Sequence, residues 1–434
     1  MKSRVTFLLL LLIVQSTFAQ HRKISVLFLG NSYTAVNNLP LLIDSIVTSG
    51  GDTMAWDVNA PGGYTLQMHS VDATTLSKIN QHPWDYVVLQ EQSQLPSFDP
   101  SSVDSTTIPY ALRLDSLIRA NDSCTQVVFY ETWGRKYGDA SNCAVYPPVC
   151  TYDGMQQRLL ESYKLMADTC HAIVAPVGEA FRTSIAFDST TELYQADLSH
   201  PSLNGSFLAA SVFYNVFFHR SALGNSYDPG VTQQPAVMFH LFAHQTIEDS
   251  LNFFNLGINE PWAEFTWHEA QGCVGEFFGK SNSNFFHYWD FGDSTTSADP
   301  SPVHQYMYSR YYPVIHIVYN SCTSDTFRLT NNMVCNGAAV NEISENNFTL
   351  FPNPVSEKLF VIPIAIGSYS LYRAAEEISI YNVLGEKVLA VQLPIANCLL
   401  PTEFDVSNLP EGIYFLKIID ERENFSSLKF TIIR

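Results

Sequence analysis

The sequence predicts a multidomain chain: an α/β/α three-layer sandwich built on a parallel sheet, then an all-β sandwich, then a small all-β module. Three observations carry that prediction. From about residue 23 to 215, apolar runs alternate with amphipathic helical segments. After Asn255 the helical period stops and short alternating strands between turn residues take over. The length, 434 residues, also exceeds one ordinary domain. The strand-like runs of the first part are Ile24 to Leu29, Thr53 to Asn59, Tyr86 to Gln90, Gln126 to Tyr130 and Ala172 to Val177. Between them lie helix-like segments at Leu39 to Thr48, stopped by Gly50 and Gly51, Leu66 to Ile79, Ile108 to Ala120 and Met155 to Ala167. Strand followed by helix, repeated this often, predicts parallel strands covered on both faces. Two more helices, Asn204 to Phe218 and Val237 to Phe254, extend the same body.

The first residues stand apart from this body. A basic start, Met1 to Arg4, an apolar core, Phe7 to Val14, and small residues around Thr17 to Ala19 form an export leader over 1–19. Its apolar stretch is too short to span a bilayer comfortably, and no later stretch reads as a membrane span. Eight cysteines in an exported chain are expected to pair rather than to catalyse. Cys143 and Cys150 would close a short loop, Cys124 and Cys170 are expected near each other, and Cys273, Cys322 and Cys335 fall together late in the chain. No Cys/His spacing suggests zinc, so neither a metal nor an organic cofactor is expected. A formal net charge of -19 argues against nucleic acid or anionic membrane as partner.

Residues 256–335 read as a small antiparallel sandwich, with Phe286 to Asp293 (FHYWDFGD), Pro302 to Tyr306 and Tyr312 to Tyr319 alternating apolar and polar across turns. These segments resemble a PKD-type domain, with Ser294 where its motif ends in Gly. Asp290 and Asp293 are read as turn braces rather than calcium ligands. A polar linker, 336–347, leads to residues 348–434, where Phe348 to Pro354, Ile378 to Gly385, Leu409 to Leu416 and the basic end Lys429 to Arg434 make another small sheet. That segment closely resembles the C-terminal sorting domain of type IX secretion cargo, with Phe351 where Tyr is usual. The resemblance implies handling by the type IX machinery and a secreted or outer-surface location in a Gram-negative bacterium, with the domain clipped off afterwards.

Ligands of an open parallel sheet bind beyond the carboxyl ends of its strands. In the segment from residue 20 to 255 those ends carry Gly30, Asn31 and Ser32; Gly62, Gly63 and Tyr64; Gln90 to Ser93; Glu131 to Trp133; and, ahead of the last helix, Asp197 to His200. A hydroxyl, an imidazole three residues after a carboxylate, and glycine amides are what acyl transfer requires. Ser32 is the candidate nucleophile, His200 the base, Asp197 its orienting partner, and the N–H groups of Ser32 and Gly63 the oxyanion donors. The pentapeptide LGNSY occurs twice, but the copy holding Ser226 lies in a Gly/Pro loop with no such partners. His69, His82, His171, His240 and His244 read as surface or core residues; Glu131 and Trp133 are candidates for pocket lining, with a packed Trp at a strand end an equally ordinary reading.

This order resembles the SGNH (GDSL-like) hydrolases, whose flavodoxin-like fold it implies: Ser32 in LFLGNSYT, with Asn31 where Asp is usual; Gly63 in APGGYT; Asp197 and His200 in DLSHPS. The third block departs, because the usual GxND is replaced by LQEQSQ. Gln90 is taken as the third oxyanion donor, by similarity to the QGE of carbohydrate acetylesterases, with Gln92 and Gln94 as alternatives. The resemblance implies a secreted serine esterase acting on acyl esters, with acetylated carbohydrate as substrate. The altered third block keeps a rival in view, a non-catalytic surface protein that binds glycan or serves adhesion.

Overall fold

A computed structural model describes residues 22–231, 233–270, 272–281, 284–333, 348–363, 375–392, 402–420 and 425–434. The leader expected over 1–19 and the linker expected over 336–347 lie outside the described residues. Five strands, β1 (Lys23–Leu29), β2 (Thr53–Asn59), β3 (Tyr86–Leu89), β4 (Gln126–Tyr130) and β5 (Ile173–Ala175), form one all-parallel sheet in the order β2-β1-β3-β4-β5. The helices are α1 (Ser32–Ala35), α2 (Leu39–Ser49), α3 (Leu66–His69), α4 (Ala73–Ile79), α5 (Pro100–Thr106), α6 (Ile108–Asn121), α7 (Tyr152–Thr169), α8 (Val177–Phe187), α9 (Leu203–Phe218) and α10 (Gln233–Glu248). Helices α2 and α9 cover one face of the sheet, and α4, α6 and α7 the other.

Both faces of the sheet are therefore dry, which is why the central strands are apolar at every position rather than alternately: Val26 to Leu29 and Val127 to Tyr130 are completely buried. Helix α9 is buried from Gly205 to Phe218, pinned between the sheet and α10. Phe28 meets Phe213 and Phe217 edge-on at ring distances of 6.0 and 6.4 Å. A helix apolar all round belongs in such a place. The single helix expected over Leu66 to Ile79 is two: the first ends at His69 with Ser70 as its carboxyl cap, and Asp72 caps the second by accepting from Thr75 N at 2.8 Å. Strand β5 is also shorter than expected, and α8 follows it directly.

The second unit packs a three-stranded sheet, β10 (Val303–Gln305), β7 (Val274–Gly279) and β6 (Phe265–Ala270), against a four-stranded one. The latter runs β12 (Ser324–Met333), β11 (Arg310–Tyr319), β8 (Phe286–Asp290), β9 (Thr296–Ser297). Trp289 fills the centre, stacked on His316 with ring centroids 3.7 Å apart and donating to Asp299 O at 2.8 Å. Asp290 accepts from Gly292 N and Asp293 from Thr295 N, so both aspartates brace turns.

This sandwich is fastened to the α/β body. Asp325 accepts from Ala263 N at 2.8 Å and faces His219 at 3.0 Å and Arg22 at 3.7 Å. Glu260 faces His219 at 3.2 Å and accepts from Tyr86 Oη. A disulfide joins Cys124 to Cys322. Cys124 and Cys170, expected near each other, do not pair: Cys124 bonds the neighbouring domain, and Cys170 stays a free thiol in the core, its pKa pushed up to about 12 by burial. Cys143 pairs with Cys150 as expected. Arg22, Tyr86 and Cys124 lie just before or at the start of β1, β3 and β4. The attachment is therefore at the amino-terminal edge of the sheet, opposite the carboxyl-terminal rim.

The last unit holds β13 (Phe348–Phe351), β14 (Lys358–Pro363), β15 (Ala375–Asn382), β16 (Lys387–Gln392), β17 (Thr402–Asp405), β18 (Gly412–Asp420) and β19 (Phe425–Ile432). They form sheets β13-β14-β17 and β16-β15-β18-β19 around a core that includes Leu359, Ile380, Leu416 and Phe430. Among the described residues no helix is long and apolar enough to cross a membrane.

Candidate active site

The strand order reverses between β1 and β3, and the turns leaving these two strands make a crevice at their carboxyl ends. Ser32 opens α1 immediately after β1, and Asn31 caps that helix by accepting from Tyr33 N at 3.1 Å. The Ser32 hydroxyl lies 2.9 Å from His200 Nε2. His200 Nδ1–H donates to Asp197 Oδ2, which leaves Nε2 to accept from the serine. The other oxygen of Asp197 accepts from the backbone N–H groups of Ser199 and His200 at 3.1 and 2.9 Å. Partial burial would raise the Asp197 pKa, but these three hydrogen bonds outweigh it and hold the carboxyl below its ordinary range. Serine, histidine and aspartate, 168 and 3 residues apart, are thus in one hydrogen-bonded line.

Asn31 explains how Gly63 reaches the same place. Its side-chain N–H donates to Tyr64 O at 2.9 Å, tying the Gly62–Gly63 turn to the serine turn. An aspartate at this position would present an oxygen to that carbonyl instead of a donor. Gly63 has a φ of +73°, and a Cβ there would meet nothing within 4 Å, so the glycine serves backbone conformation. Among the described residues no protein acceptor takes the N–H of Ser32 or of Gly63. For Ser32 this follows from its place in the first turn of a helix.

Gln90 is placed differently from the expectation that it donates to an oxyanion. It is completely buried; its oxygen accepts from Asn31 N at 2.9 Å and Thr34 Oγ1 at 3.0 Å, and its nitrogen donates to Glu91 O. It braces the serine turn from behind. The physical reason is the unpaired N–H of Asn31, a buried group needing an acceptor. Gln92 and Gln94 are also engaged: the Gln92 oxygen accepts from Gln94 N at 2.7 Å, and the Gln94 nitrogen donates to Asp139 at 2.6 Å.

The neighbouring Glu91 is completely buried, accepts from Leu66 N at 3.1 Å and Gln92 N at 2.6 Å, and has its pKa pushed up to about 8 by burial, partly offset by those bonds. His69, read from the sequence as a surface or core residue, is buried and also holds the serine turn, with Nε2 donating to Gly30 O and Nδ1 accepting from Thr75 Oγ1, both at 2.8 Å. Burial lowers its pKa, in keeping with a neutral ring. Glu131 and Trp133 are completely buried and so line no open pocket. The Ser226 hydroxyl meets Ser49 Oγ at 2.9 Å. No group of three or more His, Cys, Asp or Glu among the described residues is arranged to hold a metal.

Residues 349–434 match the secretion system C-terminal sorting domain family. That places the protein among type IX secretion cargo, secreted or held at the outer surface. No curated protein matches the chain. Among solved structures it is similar to a DUF4886 family protein from Bacteroides uniformis, at 19% identity over 52% of this chain and 95% of that one, TM-score 0.46. It is similar also to a candidate SGNH hydrolase from Slackia heliotrinireducens, at 30% identity over 44% and 98%, TM-score 0.38. A third similarity is to the PKD1 domain of the Vibrio cholerae metalloprotease PrtV, at 27% identity over 16% and 91%, TM-score 0.15.

Proposed function

We propose that the protein is a secreted serine esterase of SGNH type. The observation that carries this reading is the line from Ser32 Oγ through the His200 ring to Asp197. In the reaction, His200 Nε2 takes the Ser32 proton as the oxygen attacks an ester carbonyl. Asp197 stabilises the resulting imidazolium, and the same proton passes to the departing alcohol. Water, activated by His200, then releases the acid from the acyl-serine. The oxyanion is received by Ser32 N–H and Gly63 N–H; removal of one such donor in other serine hydrolases costs about 3 to 4 kcal/mol.

The side chains of Asp197 and His200 are 46% and 30% exposed, which favours a bulky alcohol such as an acylated carbohydrate. The resemblance to carbohydrate acetylesterases supports acetyl as the acyl group. One observation favours the non-catalytic rival, the inward-facing amide of Gln90. A fluorophosphonate and an aryl acetate decide between them. The mature protein is expected to be labelled at Ser32 and to release acetate, with Ser32→Ala losing both. Equal hydrolysis by the two proteins would refute the esterase.

A further inference from the structure

The loop bearing Asp197 and His200 is too exposed to be held by burial. Its middle residue, Leu198, has a φ of +62°, a conformation disfavoured for leucine. Such a backbone persists where outside contacts dictate it, and three arrive from two segments. Leu198 O accepts from Lys136 N at 3.0 Å, Ser199 O accepts from the indole N–H of Trp133 at 3.0 Å, and Ser199 Oγ lies 2.6 Å from Tyr33 Oη.

Trp133 is the rigid member of this set. It is completely buried and sandwiched face to face between Tyr33, at a ring distance of 4.9 Å, and Phe181, at 4.2 Å. The segment carrying it is rooted in the sheet. Glu131 N donates to Ala175 O, the Glu131 carboxyl accepts from Gln156 Nε2 and Glu179 N, and Gly134 is gripped by Gln156 and Tyr194. Tyr33 directly follows Ser32, so the ring stacked on the nucleophile's neighbour also holds the carbonyl of the base's neighbour.

We infer that Trp133 is a positioning residue for this site, its indole N–H setting the distance between His200 and Ser32. The inference rests on the triad reading above. A phenylalanine would keep an aromatic ring between Tyr33 and Phe181 while losing the donor and part of the indole's volume, and small misplacements of reacting groups have large kinetic effects. Trp133→Phe is expected to lower kcat for an aryl acetate by about tenfold to a hundredfold, with KM changed less than about twofold. Fluorophosphonate labelling of Ser32 should slow by a similar factor at temperatures well below the variant's thermal midpoint, which the lost volume lowers.

Leu198→Gly separates positioning from folding. Glycine relieves the left-handed backbone, so the midpoint should hold or rise while kcat falls. A Trp133→Phe protein with kcat within about twofold of normal, or a loss of activity that only mirrors a loss of folded protein, overturns the inference. If Ser32→Ala abolishes activity and Trp133→Phe does not change it, this inference alone fails. If the unaltered protein neither turns over nor labels, the triad reading fails and takes the inference with it.

Discussion

Gly30→Ala tests the packing behind the serine turn. Gly30 has an ordinary backbone conformation, so the substitution acts by volume alone. Its Cβ would stand 2.4 Å from Thr34 Oγ1 and 2.7 Å from Gln90 Oε1, distances no relaxed contact reaches. Those two oxygens are bonded to each other, and Gln90 Oε1 also accepts from Asn31 N. To admit the methyl, Gln90 must withdraw. Overpacking of a filled interior costs about 1 to 3 kcal/mol, and a buried N–H left without its acceptor costs about 1 to 3 kcal/mol more. The expected loss is about 3 to 5 kcal/mol, a large share of the margin of an ordinary domain. Urea unfolding of the mature protein measures it, with hydrolysis of an aryl acetate read in parallel. Gln90→Ala removes one of the two clashing oxygens and gives the Thr34 hydroxyl room to turn away, so Gly30→Ala combined with Gln90→Ala should be more stable than the sum of the two single losses by about 1 kcal/mol or more. A single Gly30→Ala variant within about 0.5 kcal/mol of normal, or strict additivity in the pair, would refute the clamp.

Glu91 titrates at about 8 in the fold against an ordinary value of 4.5. Its stabilising contribution is therefore complete below the ordinary value and is lost as pH rises through about 8. Thermal midpoints should decline from about pH 5 to 8 and level off above, and Glu91→Gln should flatten that decline; parallel curves would dismiss it. The Cys124–Cys322 bond spans 198 residues. Replacing both cysteines by serine should destabilise the α/β body and sandwich by up to about 5 kcal/mol, read as a lowered urea midpoint with kcat at low denaturant kept, because the bond lies at the edge opposite the site. An unaltered midpoint would contradict that role.

The candidate residues were legible because their signals are local. Asp197 and His200 stand one turn apart, and Ser32 follows an apolar run that ends at Gly30. The hydrogen-bonding roles of Trp133 and His69 were not legible, for the opposite reason. What each does depends on partners 66 and 39 residues away, and nothing in their own neighbourhood marks it. The helix expected over Leu66 to Ile79 failed locally: Asp72 starts a second helix after the first has ended at His69, and the capping signal was outweighed by the apolar period.

By itself the sequence determined the alternation of strand and helix, the change to β-structure after the first body, and the order of hydroxyl, glycine, carboxylate and imidazole. Each of these is written in side-chain periodicity or spacing within a few residues. Only the tertiary structure decided that Gln90 faces inward, that Cys124 joins the second domain rather than Cys170, and that this domain sits on the edge away from Ser32. A buried amide turns toward whichever unpaired donor surrounds it, and a thiol pairs with whichever thiol packing brings close; both depend on parts of the chain that meet only when it folds.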